Sequence, residues 1–160
     1  MSALLVSLFS APLLVAAVVD LRSYRIPNVV SGAMLALFPL AALLSERPVD
    51  WGSHLLAGAL FLGVGAALFA LRALGGGDVK LMAATALWLG LGLALPFLVA
   101  VGLFGGALTL ILLTLRHTHI QAFIQSLAGL PPVLERGAAV PYGVAICAGG
   151  LFLAGRLPLL

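Results

Sequence analysis

Charged side chains are scarce in this chain, and the acidic ones are the scarcest. Of its 160 residues only 8% are charged, and Asp and Glu together number 5. Hydrophobic residues make up 63%, which is more than a soluble domain needs for its core. The net charge of +3 comes from basic residues scattered at the ends of apolar runs, where membrane anchors belong. The composition therefore excludes a soluble domain and does not indicate nucleic-acid binding, and it predicts an integral protein of the lipid bilayer.

Several common catalytic and metal-binding patterns are missing as well. The single cysteine, Cys147, lies in an apolar run and excludes an internal disulfide and a cysteine-based zinc site. There is no HExxH motif, and His54, His117 and His119 do not form a zinc constellation. A GxSxG serine motif is absent, and Cys147 has no base near it in the sequence. We therefore expect neither a metal nor a cofactor.

Continuous apolar runs predict an all-α polytopic membrane protein with about six transmembrane helices, forming one domain over residues 1–160. Each run is roughly as long as a helix needs to cross hydrocarbon. The first run has no basic segment before it and no small-residue cleavage site after it, so we expect it to be retained. A tight turn is predicted at Leu95 and Pro96. The predicted spans are 3–20, 28–45, 53–71, 79–94, 96–115 and 139–156.

The basic residues predict how these spans are oriented. If the N-terminus lies outside, the outer side holds only Arg47 and Arg156. The inner loops then hold Arg22, Arg25, Arg72, Lys80, Arg116 and Arg136. This asymmetry follows the positive-inside rule and places Asp20 and Asp78 together on the cytoplasmic side. The long inner loop at 116–138 has apolar residues at helical spacing between 120 and 127, which predicts an amphipathic helix in the membrane interface.

Two aspartates are the candidate catalytic residues. Asp20 ends an apolar run and opens the segment DLRSYRIPN (20–28), and Asp78 lies in GGGDVK (75–80). Ionisable groups are costly at a membrane and mark functional sites by default. A carboxylate pair hydrolyses a peptide bond when the ionised member takes a proton from water and the protonated member hydrogen-bonds to the carbonyl oxygen. Because close carboxylates cannot both ionise, the pair shares one proton. The pair suggests an aspartic protease built inside a membrane.

Each aspartate also has a simpler structural interpretation. A helix ending at Asp20 would have an acid at its negative dipole end, balanced by Arg22 or Arg25 at the interface. Asp78 is a favoured N-cap residue directly before the fourth predicted span. Lys80 has the ordinary role of a positive-inside anchor.

Three glycines precede Asp78, and they have two interpretations. Gly75, Gly76 and Gly77 leave the backbone bare, so another chain can approach closely or the backbone can adopt a positive φ, above all at Gly77. An extended substrate strand could lie against such a segment. The alternative is that the three residues merely join two spans.

With these motifs the chain resembles the type IV prepilin peptidase family, the bacterial branch of the GxGD membrane aspartic proteases. DLRSYRIPN (20–28) resembles the first-aspartate motif of that family, and GGGDVK (75–80) matches GxGDxK. VPYGVAICAGG (140–150) resembles the proline-glycine segment of the last span. The order and spacing of the three motifs fit the family over essentially the whole chain.

The resemblance implies that Asp20 and Asp78 are the catalytic pair, and that the substrate is a prepilin-like membrane protein. Its short basic leader would be cleaved at the cytoplasmic face of the bacterial inner membrane. The chain lacks the two CxxC pairs of long family members, so it resembles the short form that lacks the N-methyltransferase domain and is found with tight-adherence (Flp-type) pili. Residues matched to motif positions with a role in the loop or in substrate placement are Gly75, Gly76, Gly77, Lys80, Pro141, Tyr142 and Gly143.

Two other functions remain open at this point. A non-enzymatic membrane subunit or small transporter would use the acids for ion pairing or proton coupling. A proton carrier needs an acid near the middle of the membrane, whereas Asp20 and Asp78 lie at span ends. The same protease acting on pseudopilins or archaellin-like precursors is the other alternative.

Overall fold

The computed structural model describes residues 2–116 and 138–160, and the regular structure of these ranges is helical throughout. The helices are α1 (Ser2–Ser23), α2 (Asn28–Leu44), α3 (Trp51–Ala70), α4 (Gly76–Leu115) and α5 (Tyr142–Leu153), followed by a 3-10 turn, Ala154–Arg156. Helices α1, α3 and α4 are long and apolar enough to cross a membrane, and α2 and α5 are shorter apolar helices. The predicted all-α polytopic membrane fold is confirmed. The amphipathic helix predicted between residues 120 and 127 lies outside the described residues.

Helix α4 contains a break at Gly90, whereas the sequence predicted a turn further along the chain. Gly90 has φ 68° and ψ 176°, a conformation that costs little only for glycine. After the break the N–H of Leu91 donates to Ser53 Oγ at 3.0 Å, so it gains a partner in α3. The predicted turn at Leu95 and Pro96 was wrong, because Pro96 lies inside the second half of α4. The fixed φ of proline is compatible with a helix, whereas a sharp reversal needs the positive φ of glycine.

The two halves of α4 run in opposite directions. Asp78, near the start of α4, lines the same cavity as Ala139. Arg116, just after the end of α4, donates from Nη2 to the carbonyl oxygen of Ala139 at 3.1 Å. Both ends of α4 therefore lie at one end of the bundle, and the chain reverses at Gly90. The halves 76–89 and 91–115 correspond to the fourth and fifth predicted spans.

The core is organised around a fully buried indole. Trp88, in the first half of α4, donates from Nε1 to the carbonyl oxygen of Met34 in α2 at 2.9 Å. Its ring lies 5.6 Å from that of Phe9 in α1 and 5.8 Å from that of Phe38 in α2. Such aromatic contacts, together with a satisfied indole N–H, hold the three helices in one arrangement. This packing holds α1 and α2 against the first half of α4.

The outer face of the bundle is apolar, as expected for a surface in contact with lipid tails. Along the second half of α4 the side chains exposed on this face include Leu103, Leu110, Ile111 and Leu113. A soluble protein rarely exposes a continuous apolar surface of this kind.

Candidate active site

Asp20 and Asp78 line one cavity of about 510 Å³ at one end of the bundle. The last turn of α1, the first turn of α4 and the residues before α5 meet there. The two carboxylates are close enough for their charges to repel each other. Other residues of the lining include Tyr24, Arg25, Gly75, Gly76, Gly77 and Tyr142. The fold thus brings together two acids that belong to separate motifs of the sequence.

The side chain of Asp20 is held by the start of another helix. It is only 5% exposed, and its Oδ2 accepts a hydrogen bond of 2.7 Å from the N–H of Gly143 in the first turn of α5. The N-cap residue of α5, Pro141, makes no side-chain capping bond. Asp20 therefore supplies an acceptor that this helix end lacks, and the positive end of the α5 dipole favours a carboxylate. Asp20 also lies near the C-terminal end of its own helix, which runs on to Ser23 and whose dipole disfavours a carboxylate. The interaction with the start of α5 offsets this cost.

Asp78 lies inside α4 rather than at its N-cap position. The N-cap residue is Gly75, and the helix begins at Gly76 instead of 79 as predicted. The Asp78 carboxylate reaches back to the N–H of Gly75, and the N–H of Val79 donates to the Gly75 carbonyl at 3.1 Å. An acid that reaches from the third helical position to the N-cap N–H forms one half of a capping box. Both aspartates are thus anchored by backbone N–H groups at helix starts.

The glycines before Asp78 do not form a separate loop. Gly76 and Gly77 are helical, and among the described glycines only Gly90 has a positive φ, so of the two possibilities for Gly77 the positive φ does not occur. Instead, Ile26 in the segment after α1 approaches the backbone of Gly77 closely. A Cβ on Gly77 would lie 3.1 Å from Ile26 Cβ and 3.2 Å from the Ile26 carbonyl oxygen. A bare backbone at Gly77 lets the segment after α1 pack against the start of α4.

The segment VPYGVAICAGG (140–150) packs against Asp20. A Cβ on Gly143 would lie 2.9 Å from Asp20 Oδ2 and 3.0 Å from Ile26 Cδ1. Pro141 occupies the N-cap position, so α5 begins at Tyr142 rather than at 139. Tyr142 lines the cavity. Of the three residues, Gly143 contacts Asp20 directly, Tyr142 lines the cavity, and Pro141 is not part of the lining.

Lys80 is not among the residues that line this cavity. Its Nζ donates to Asn28 Oδ1 at 2.9 Å, which ties the start of α2 to α4. Lys80 and Asn28 line another cavity, of about 620 Å³, between α2, α3 and α4. Lys80, which matches the lysine of the GxGDxK motif, therefore holds α2 against the helix that carries Asp78.

Tyr24 is a lining residue that the sequence reasoning missed. Its phenol oxygen is buried and has no hydrogen-bond partner within residues 2–116 and 138–160. Its backbone φ is 51°, which is uncommon for a residue with a large side chain. In the sequence it stands between Arg22 and Arg25, and neither its spacing nor its chemistry distinguished it from a basic membrane-edge segment.

The chemistry that this arrangement allows is acid–base catalysis on a water molecule. Two interacting carboxylates face a cavity whose volume is typical of ligand sites. In residues 2–116 and 138–160, no group of three or more His, Cys, Asp or Glu side chains could hold a metal ion.

Comparison with known proteins gives one finding. The model of the type IV leader peptidase family matches residues 7–110, which is more than half of the chain. The matched range contains both aspartate motifs and ends before α5. Neither the curated proteins nor the solved structures include a match to the chain.

Proposed function

We propose that this chain, which belongs to the type IV leader peptidase family, is an aspartic endopeptidase. Asp20 and Asp78 would be its catalytic pair. Its substrates would be prepilin-like membrane proteins, from which it removes the basic leader. The observation that supports this most is that both aspartates line one cavity with interacting carboxylates. Two such groups supply the acid and the base that peptide hydrolysis needs.

In the proposed reaction the two carboxylates share one proton. The ionised carboxylate takes a proton from a bound water, and the water oxygen forms a bond to the scissile carbonyl carbon. The protonated carboxylate donates a hydrogen bond to the carbonyl oxygen. The C–N bond then breaks, and the leaving amine takes the proton that came from the water. The backbone N–H groups of Gly75 and Gly143 keep the two side chains oriented during these steps.

We further propose that the cavity faces the cytoplasm of a bacterial inner membrane and that the precursors are of the Flp type. The substrate's hydrophobic helix would stay in the bilayer while its basic leader reaches the cavity. The basic residues of the sequence support the orientation, since six of the eight fall in the loops on the side that carries both aspartates in the predicted topology. The resemblance to the short form of the family supports the Flp-type substrate.

Co-expression with a Flp-type prepilin should convert the precursor into a shorter product that is visible as a gel shift. A pseudopilin tested in parallel should be cleaved less efficiently.

Cleavage by the purified protein in detergent should persist in EDTA, because a carboxylate pair needs no metal. Loss of cleavage in EDTA that zinc restores would show a metalloprotease and overturn the mechanism.

Cysteine labelling should place the two ends of the bundle on opposite sides of the membrane. In a Cys147→Ala background, a cysteine at Ser23, next to the cavity, should react only from the cytoplasmic side. A cysteine at Glu46, which is exposed between α2 and α3, should react from outside. The expectation follows from the six-to-two asymmetry of basic residues between the two sides of the predicted topology. Labelling of Ser23→Cys from outside would show that the protein has the opposite orientation. Processing at the cytoplasmic face would then no longer be part of the proposal.

A further inference from the structure

We infer that the cavity between α2, α3 and α4 binds an anionic phospholipid, whose phosphate lies at Lys80 and one of whose acyl chains lies along the cavity. This cavity is separate from the proposed active site, because the two have no lining residue in common. Lys80 follows Asp78 by two residues, so the lipid would come from the leaflet on the side of the aspartates. The inference concerns binding and goes beyond the proposed peptidase activity.

The cavity is a groove in the surface that faces the lipid. Its floor consists of buried residues of α4, namely Ala83, Ala84 and Leu87. Its walls carry exposed side chains of α2 and α3, among them Leu35 and Leu55. A buried floor between exposed apolar walls leaves a channel that is open to the hydrocarbon of the bilayer. In a membrane such a channel is filled by lipid tails or by another helix.

The length of the groove favours a lipid tail. At the far end α2 and α3 meet, where the ring of Phe38 lies 5.7 Å from that of Trp51 and 5.1 Å from that of His54. From Lys80 to Leu87 the lining of α4 rises about 10 Å, which is roughly a third of the hydrocarbon thickness. The groove is therefore confined to one leaflet. It suits an acyl chain of that leaflet better than a helix that crosses the whole bilayer.

The other end of the groove carries a positive charge. Lys80 is exposed, and its Nζ donates to Asn28 Oδ1 at 2.9 Å. Because Asn28 is uncharged, this bond holds the ammonium at the groove without neutralising it, and it uses one of three N–H donors. Asn28 is also the first residue of α2, whose positive dipole end favours an anion. Basic pockets between transmembrane helices bind anionic headgroups by this kind of complementarity.

The charge also distinguishes the lipid from other occupants of the groove. A prepilin-like substrate would bring its basic leader to this end of the bundle, where Lys80 repels it. In a two-fold symmetric dimer each copy would present the same surface, so two Lys80 side chains would face each other. A phosphate, in contrast, attracts the ammonium and accepts hydrogen bonds from it. Of the three occupants, the anionic phospholipid matches both the apolar groove and its charge.

The test measures lipid binding to the purified protein by native mass spectrometry, with phosphatidylglycerol and phosphatidylcholine of identical acyl chains. Wild type should bind phosphatidylglycerol about fivefold more tightly, the effect of one basic residue near an anionic headgroup. In Lys80→Gln the new amide keeps a donor for Asn28 but has no charge, so this preference should disappear. Arg22→Gln is the matched control, because Arg22 is exposed in the last turn of α1 and does not line the groove. It should keep the preference.

Gly32→Leu tests the groove independently of the charge. Gly32 lines the groove, and an added Cβ there meets no atom of the described residues within 4 Å. A leucine should therefore fit without disturbing α2, and phosphatidylglycerol should bind about tenfold more weakly because packing of its acyl chain is lost. Gly63→Leu is the control: Gly63 in α3 is equally open but is not part of the lining. It should bind lipid as wild type does.

Several results would contradict the inference. Equal binding of the two lipids by wild type would remove the role of the charge. An equal loss of preference in Arg22→Gln and Lys80→Gln would show a diffuse surface charge instead of a site. Wild-type binding by Gly32→Leu would show that the groove takes no part, and a dimer that Gly32→Leu dissociates would assign the groove to a second copy of the chain. None of these measurements involves cleavage, so the proposed function stands or fails separately.

Discussion

Asp20→Asn and Asp78→Asn should each abolish leader cleavage while leaving membrane insertion intact. Each change removes an ionisable acid and nearly preserves its shape. General acid–base catalysis contributes about 10²–10⁴-fold, so the rate should fall by about that factor when half of the pair is lost. Because members of a catalytic unit are grossly non-additive, the double variant should be no worse than either single one. The measurement is the initial rate of precursor conversion at matched protein levels.

The hydrogen bonds of the site make these substitutions informative. In Asp20→Asn the new amide side chain would keep an oxygen acceptor for the N–H of Gly143, so α5 should remain in place. In Asp78→Asn the amide would likewise keep an acceptor for the N–H of Gly75. A loss of cleavage with an unchanged melting temperature would therefore be a loss of chemistry and not of structure.

Asp50→Asn is the matched control for both aspartates. Asp50 is the N-cap residue of α3, where its side chain accepts from the N–H of Ser53. Asparagine caps a helix about as well as aspartate, so stability should change little. Cleavage should be unaffected, because Asp50 does not line the cavity. Near-normal processing by a well-expressed Asp20→Asn or Asp78→Asn protein would end the assignment of the pair.

The helices could be predicted from the sequence because hydrocarbon imposes length and apolarity on every span. The turn at Leu95 and Pro96 was wrong because one proline is tolerated within a helix, whereas the reversal depends on the φ of Gly90 and its contact with Ser53. A contact with a residue on another helix has no local sequence signal. For the same reason the N–H of Gly143 that holds Asp20 could not be predicted from the residues around Asp20.

Several of the chain's 19 glycines set how closely the helices pack. A Cβ on Gly65 would lie 2.6 Å from Val79 Cγ1, and one on Gly149 would lie 2.9 Å from Val101 Cγ2. Small residues let helix backbones approach closely in membranes, where packing replaces much of the hydrophobic driving force. A sequence without its contacts does not tell such glycines from Gly92, which has nothing within 4 Å of an added Cβ.

Gly143→Ala should reduce cleavage by about 100-fold or more, the second largest effect we expect. An alanine methyl group would lie 2.9 Å from Asp20 Oδ2 and 3.1 Å from Asp20 Cβ, closer than atoms normally approach. Either α5 or the carboxylate must then shift, and the 2.7 Å hydrogen bond from Gly143 is lost or bent. Misplacement of a catalytic group by about 1 Å costs about 10²-fold in rate. The measurement is the rate of precursor conversion alongside the melting temperature in detergent.

Gly106→Ala separates this effect from the general response of a membrane helix to alanine. Gly106 lies in the second half of α4, and an added Cβ there meets no atom of the described residues within 4 Å. Alanine favours a helix over glycine by about 0.5–1 kcal/mol, so this variant should be at least as stable as wild type and fully active. The same gain applies at Gly143 and should limit its loss of stability, so that a loss of activity there reports the position of Asp20. Wild-type cleavage by Gly143→Ala would show that the start of α5 does not determine where the Asp20 carboxylate lies.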